Sequence, residues 1–161
     1  MSKIIDFYSG KSVKPYSYND VCNFTEHDWE NKHDFIQIVF PNRILSKYNP
    51  DAPILTDYDL VYLQKHYSDN VEDMISRFMC FLGYCGNIIG GTSTVWWYPC
   101  NHESVKNRVS TPNHNSLRIT RMLKFLYEFD KNLCIVLFHT LIQANRDFIT
   151  QENWVKAVEG K

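Results

Sequence analysis

The densest group of chemistry-bearing side chains in this 161-residue chain surrounds Arg118 and Arg121. Spaced i, i+3, the two arginines project onto neighbouring parts of one helix face. Asn113, His114 and Asn115 come just before them, where a helix should start near residue 115. A helix start offers unpaired N–H groups and the positive end of the dipole, so it receives phosphate or carboxylate. Asn113, His114, Asn115, Arg118 and Arg121 are therefore candidate ligand contacts for a small anion. The structural alternative is that Arg118 or Arg121 pairs with Asp34 or Asp51 and pins a proline-rich loop to the helix.

A second polar pair is His33 and Gln37, read as one turn apart on an earlier helix. They could give a ligand one donor and one acceptor, or they could satisfy backbone carbonyls of the Asn49–Pro50–Asp51 loop. A third feature is the run Trp96, Trp97 and Tyr98. It suits an interaction surface, a ligand groove or a base-stacking face, and equally the cap of a small core. Lys106 and Arg108 nearby are too few for a nucleic-acid stripe. Zinc is a marginal fit. Cys80-x4-Cys85 with Cys100-x-His102 stretches the usual spacing, and Cys80 reads as a reduced, buried member of an apolar stripe. No metal and no cofactor is expected. Catalysis has no motif behind it: there is no GxSxG elbow, P-loop or HExxH. Cys100 with His102 or His114 could be drawn as nucleophile and base, but nothing in the spacing singles them out.

The elements that must position these residues read as helices. Apolar residues at 44% and charged residues at 22% suit one soluble globular domain over 1–161. A net charge of −1 gives no pull toward nucleic acid or an anionic membrane. No apolar run reaches a membrane span and the N-terminus lacks a signal-peptide core, so the expectation is an intracellular protein, cytoplasmic or nuclear. Most of its five cysteines should then be reduced. Abundant Asn, Ile, Lys and Tyr suit an AT-rich genome, as of a virus or phage.

Ile4 to Tyr8 read as a short helix stopped by Gly10, and 20–24 as another. Thr25 caps a helix carrying Trp29, His33, Ile36, Gln37 and Phe40, ended by Pro41. Residues 41–55 read as an extended loop. Thr56 caps a helix to about Tyr67, and a new start at Ser68 or Asp69 runs to Gly83. Residues 87–110 read as irregular, with a hairpin turning at Gly90–Gly91. Two further stripes follow, 117–129 and 133–141, broken at Asp130–Lys131–Asn132, with a last helix over 150–158. The fold class is all-α, a bundle-like domain of five to seven helices with one irregular or hairpin insertion.

Two blocks of this sequence resemble the opioid growth factor receptor family. One runs through His33, Phe35, Ile36, Gln37, Phe40, Pro41, Asn49, Ala52, Pro53, Leu55 and Thr56. The other runs through Asn113, His114, Leu117, Arg118, Ile119, Thr120, Arg121, Leu123 and Lys124. The likeness extends from about Phe7 to Gln143, and the Trp96–Asn107 region departs from the family pattern. It implies a helical domain with a binding role, the vertebrate receptor recognising the opioid pentapeptide met-enkephalin at a perinuclear or nuclear location. It brings no ligand residues with it. The two blocks are expected to face each other. Three functions follow: a module for a small anionic or peptide ligand, a protein–protein factor of viral or phage origin acting on a host protein, or an enzyme on a nucleotide or nucleic acid.

Overall fold

A computed structural model describes residues 2–86 and 97–161. The described residues are all-α apart from one two-stranded ribbon. The α-helices are α1 (Lys3–Tyr8), α2 (Tyr18–Cys22), α3 (Glu26–Asn31), α4 (Ile36–Val39), α5 (Asp57–His66), α6 (Ser68–Leu82), α7 (His102–Val105), α8 (His114–Phe129), α9 (Lys131–Ile142) and α10 (Phe148–Val158). Strands β1 (Tyr84–Gly86) and β2 (Trp97–Pro99) pair antiparallel, and a π-helical turn, Lys106–Ser110, follows α7. Five helices, α5, α6, α8, α9 and α10, reach ten residues or more, and the remainder are one- or two-turn pieces. No described helix is long and apolar enough to cross a membrane. The chain divides into two compact units, Met1–Met74 and Ile75–Lys161.

In the first unit, side-chain caps set the helix starts. Thr25 and Asp28 form a reciprocal capping box on α3, Thr56 and Asp59 one on α5, and Ser17 and Asp20 one on α2. Asp59 does more, because its buried carboxylate also accepts the Ser2 hydroxyl at the start of α1. The Tyr8 hydroxyl donates to Val39 O at 2.5 Å, and Asn70 Nδ2 donates to Tyr8 O at 2.8 Å. Burial holds the Tyr8 phenol well above its usual pKa.

The single helix expected over 25–40 is two pieces. α3 ends at Asn31, Lys32 is extended at φ −86°, ψ 136°, and α4 is a separate turn. The reason lies in burial: every residue from Phe35 to Pro41 is buried, which no one-sided surface helix can achieve. Phe35 packs edge-on against both Trp29 and Phe24, at 5.0 and 5.1 Å between ring centroids, and that packing turns the chain. Asn31 Nδ2 also takes the His27 carbonyl at 2.9 Å, a local bond that favours termination.

In the second unit α8, α9 and α10 pack on one another, and Trp154 of α10 donates its indole N–H to Ser116 O of α8 at 3.3 Å. Asp130 alone separates α8 from α9, ending one and capping the other, so the break is narrower than 130–132. The last helix starts earlier than expected, at Phe148, because Asp147 accepts from Thr150 N at 2.8 Å. Gly83 closes α6 at φ +108°, a conformation that favours glycine, and its carbonyl accepts from the N–H groups of Cys100 and Asn101.

A hairpin is present where the sequence suggested one, paired as Tyr84↔Pro99, Cys85↔Tyr98 and Gly86↔Trp97; the turn expected at Gly90–Gly91 lies outside the described residues. Residues 102–110 are helical, not irregular. Cys85 and Cys100 are joined as a disulfide across the ribbon, while Cys22, Cys80 and Cys134 are free. Cys80 is exposed rather than buried: in α6 it falls between the core positions Met79 and Phe81 and outside the stripe of Val71, Met74, Ile75, Phe78 and Leu82.

Candidate functional site

The start of α8 is built as a knot. Asn113 Oδ1 accepts from Asn115 N at 2.8 Å, and Asn113 N donates to Ser116 Oγ at 3.2 Å. Asn113 Nδ2 reaches back to the carbonyls of Asn107, Arg108 and Thr111, at 3.3, 3.3 and 2.7 Å. One side chain thus satisfies both the first turn of α8 and carbonyls released by the π-helical turn. Arg118, only 4% exposed, donates to the buried Asn115 Oδ1 at 3.2 Å. Arg121 is half-buried, and that burial lowers its pKa from the usual arginine value. His114 is exposed. The structure therefore joins Asn113, Asn115 and Arg118 into one hydrogen-bonded group, with two of the expected free N–H groups already occupied.

The remaining sequence candidates are dispersed. His33 is exposed in the break between α3 and α4, so it does not share a helix with Gln37 as the sequence suggested. Gln37 is buried on α4, and its Oε1 has no hydrogen-bond partner among the described residues. Trp96 lies outside the described residues. Trp97 is 8% exposed and Tyr98 47%, because adjacent strand residues point to opposite faces.

A cavity of about 490 Å³ lies within the second unit. Its lining comes from four places: Tyr84, Trp97 and Pro99 of the ribbon; His102, Val105, Lys106 and Ser110 of α7 and the π-helical turn; His139 and Thr140 of α9; and Gln143, Ala144 and Arg146 after it. The ribbon register explains the first group. Tyr84 opposes Pro99 and Gly86 opposes Trp97, so Tyr84, Trp97 and Pro99 share one face, while Cys85 and Tyr98 occupy the other. Two bonds fix the loop that carries Arg146. Arg146 N donates to Ser110 O at 2.8 Å, and the buried Asn145 donates from Nδ2 to Val109 O at 2.7 Å. On the other flank, Arg108 lies 4.0 Å over the Phe81 ring and donates to Phe81 O, anchoring the turn to the end of α6.

The lining has a definite electrostatic character. Lys106 and Arg146 bring an ammonium and a guanidinium, His102 and His139 add two imidazoles, and no Asp or Glu takes part among the described lining residues. Burial pushes the Tyr84 phenol up to about 12, so it stays protonated and a donor at neutral pH. Tyr84 Oη and Trp97 Nε1 are buried polar atoms without a hydrogen-bond partner among the described residues. Such atoms are rare in folded proteins and call for a specific reason.

Sequence reasoning had singled out only Trp97 of this group as a site residue. The sequence offers Lys106 for nucleic acid and His102 for zinc or as a base beside Cys100, and gives no signal for Tyr84, His139 or Arg146. The zinc idea meets the disulfide, which occupies both Cys85 and Cys100. Among the described residues no group of three or more His, Cys, Asp or Glu could hold a metal ion.

Comparison with curated proteins and with solved structures returned no match. The family model for the opioid growth factor receptor (OGFr) conserved region does match, over residues 5–152, which takes in every described lining residue of the cavity. The chain belongs to the opioid growth factor receptor conserved-region family.

Proposed function

We propose that this chain is a ligand-binding module whose cavity in the second unit takes a small anion. The observation that carries the reading is the lining: the exposed side chains of Lys106, Arg146, His102 and His139 border one cavity, with no carboxylate among its described lining residues. In a partly enclosed site of this size, unopposed cations raise the local concentration of anions and hold them with charge-assisted hydrogen bonds. Gln143 adds a neutral amide donor to the lining, while the Ser110 and Thr140 hydroxyls already donate to Val105 O and Val136 O. The start of α8 supports the choice of site from the other direction, because its polar groups already bond one another.

The test is isothermal titration of the protein with AMP, citrate and inorganic phosphate, in low and then raised salt. Binding that weakens with salt and falls at least tenfold in Lys106→Ala/Arg146→Ala, with the circular dichroism spectrum kept, supports the cavity. Equal affinity in that double variant refutes it.

A further inference from the structure

The charged rim accounts for only part of this cavity. At about 490 Å³ it holds the volume of about sixteen waters at roughly 30 Å³ each, and a bare phosphate or carboxylate displaces only a few of them. The lining also includes the ribbon face of Tyr84, Trp97 and Pro99, which offers apolar surface. Two donors are set into that face. Tyr84 Oη and Trp97 Nε1 come from paired strands, share one face by register, and have no hydrogen-bond partner among the described residues. Each has less than 1 Å² open to solvent, so bulk water does not satisfy it. They are closed to water on the cavity side as well, so a ligand seated against this wall meets them by drawing the two side chains toward it.

We infer that Tyr84 and Trp97 set the specificity of the site, and that its ligand is a planar heteroaromatic ring carrying a phosphate or carboxylate. Lys106 and Arg146 hold the anionic group, the ring lies against the ribbon face, and ring acceptor atoms take the two unpaired N–H and O–H donors. The inference rests on the anion-binding reading and adds the chemistry of the rest of the ligand. It carries an unusual consequence. A buried donor left unpaired destabilises the empty protein, and pairing it strengthens the complex. Removing the Tyr84 hydroxyl should therefore stabilise the empty protein and weaken the ligand at once, whereas a hydroxyl with a purely structural bond would give loss of stability on removal.

The probes are AMP and nicotinate, each with a heteroaromatic ring, against ribose 5-phosphate and inorganic phosphate, which have none. Affinities are read by isothermal titration and the melting temperature of the empty protein by calorimetry, for wild type, Tyr84→Phe and Trp97→Phe. AMP, nicotinate or both should bind at least tenfold tighter than the ringless probes, and which of them does so identifies the anionic group. Tyr84→Phe should raise the empty protein's melting temperature by a few degrees and cut the preferred probe's affinity by about tenfold. It should leave inorganic phosphate unchanged. Trp97→Phe, which keeps an aromatic ring and deletes the N–H, should cut the same affinity even if packing lowers its melting temperature. Ringless probes that bind as tightly as AMP and nicotinate would overturn the inference and leave the anion site standing. A lower melting temperature in Tyr84→Phe, with affinity unchanged, would overturn it as well. No binding by any probe would overturn both readings.

Discussion

The tie between α1 and α5 gives the most direct test of how the first unit is held. Asp59 is 1% exposed and accepts from the Thr56 N–H at 3.0 Å, the Thr56 hydroxyl at 2.7 Å and the Ser2 hydroxyl. Ser2 Oγ in turn accepts from Ile5 N at 3.2 Å as the cap of α1. Asp59→Ala removes the capping box of α5, about 1.5 kcal/mol given that Thr56 can turn to water. It also removes the charge-assisted bond to Ser2, about another 1.5 kcal/mol. The expected loss is about 3 kcal/mol. Ser2→Ala removes the same bond and a cap worth about 1 kcal/mol, so about 2.5 kcal/mol in all. The double variant should lose about 4 rather than 5.5 kcal/mol, a coupling of about 1.5 kcal/mol. Urea unfolding followed by circular dichroism, with wild-type and single-variant controls, measures each quantity. Losses that simply add, within about 0.5 kcal/mol, would mean that the carboxylate does not hold α1 to α5, and the reasoning would be wrong.

Three further outcomes follow from the second unit. Reducing Cys85–Cys100, or Cys85→Ser with Cys100→Ser, opens a loop with a sequence separation of 15 and should lower stability by about 3 kcal/mol, read as a shift in urea midpoint with and without a dithiol reductant. Gly83→Ala would set a Cβ 2.6 Å from Asn101 O and 2.9 Å from Val105 Cγ2 at φ +108°, so it should destabilise by about 3 kcal/mol, and a wild-type melting curve would contradict the fit. Burial pushes both the Tyr84 phenol and the Cys134 thiol up to about 12, against unfolded values of about 10 and 8.5. Their contribution is full below the unfolded values and lost as pH climbs toward 12, so the urea midpoint should fall between about pH 9 and 12, less steeply in Cys134→Ala.

Much of the helical frame was legible because its punctuation is local. Thr25 with Asp28, Thr56 with Asp59 and the glycines at 10 and 83 fix helix ends through bonds and dihedrals that involve only near neighbours. The stretch from Trp29 to Phe40 was misread for the complementary reason. Its C-terminal half satisfies a 3.6 period only because five of the six residues from Phe35 to Phe40 are apolar, and a run buried on every side carries no periodic signal. What turns the chain there is Phe35 wedged between Phe24 and Trp29, a contact set by packing and invisible to spacing.

The same distinction separates the polar cluster that the sequence advertised from the cavity that it concealed. Asn113, Asn115 and Arg118 stand close in sequence, so their chemistry is conspicuous. That proximity is also why they reach one another: Asn113 bonds Asn115 and Ser116, and Arg118 bonds Asn115, across one turn of a helix. Polar groups that can pair locally have the least left to offer a ligand. The cavity inverts this. Tyr84 and Trp97 are thirteen positions apart and meet only through the ribbon register, Lys106 is presented by a π-helical turn, and Arg146 is placed by a loop whose backbone N–H is taken by Ser110. None of these devices has a short-range pattern. Each fixes a backbone while leaving the side chain to line the cavity, so the spacing of residues alone does not reveal it.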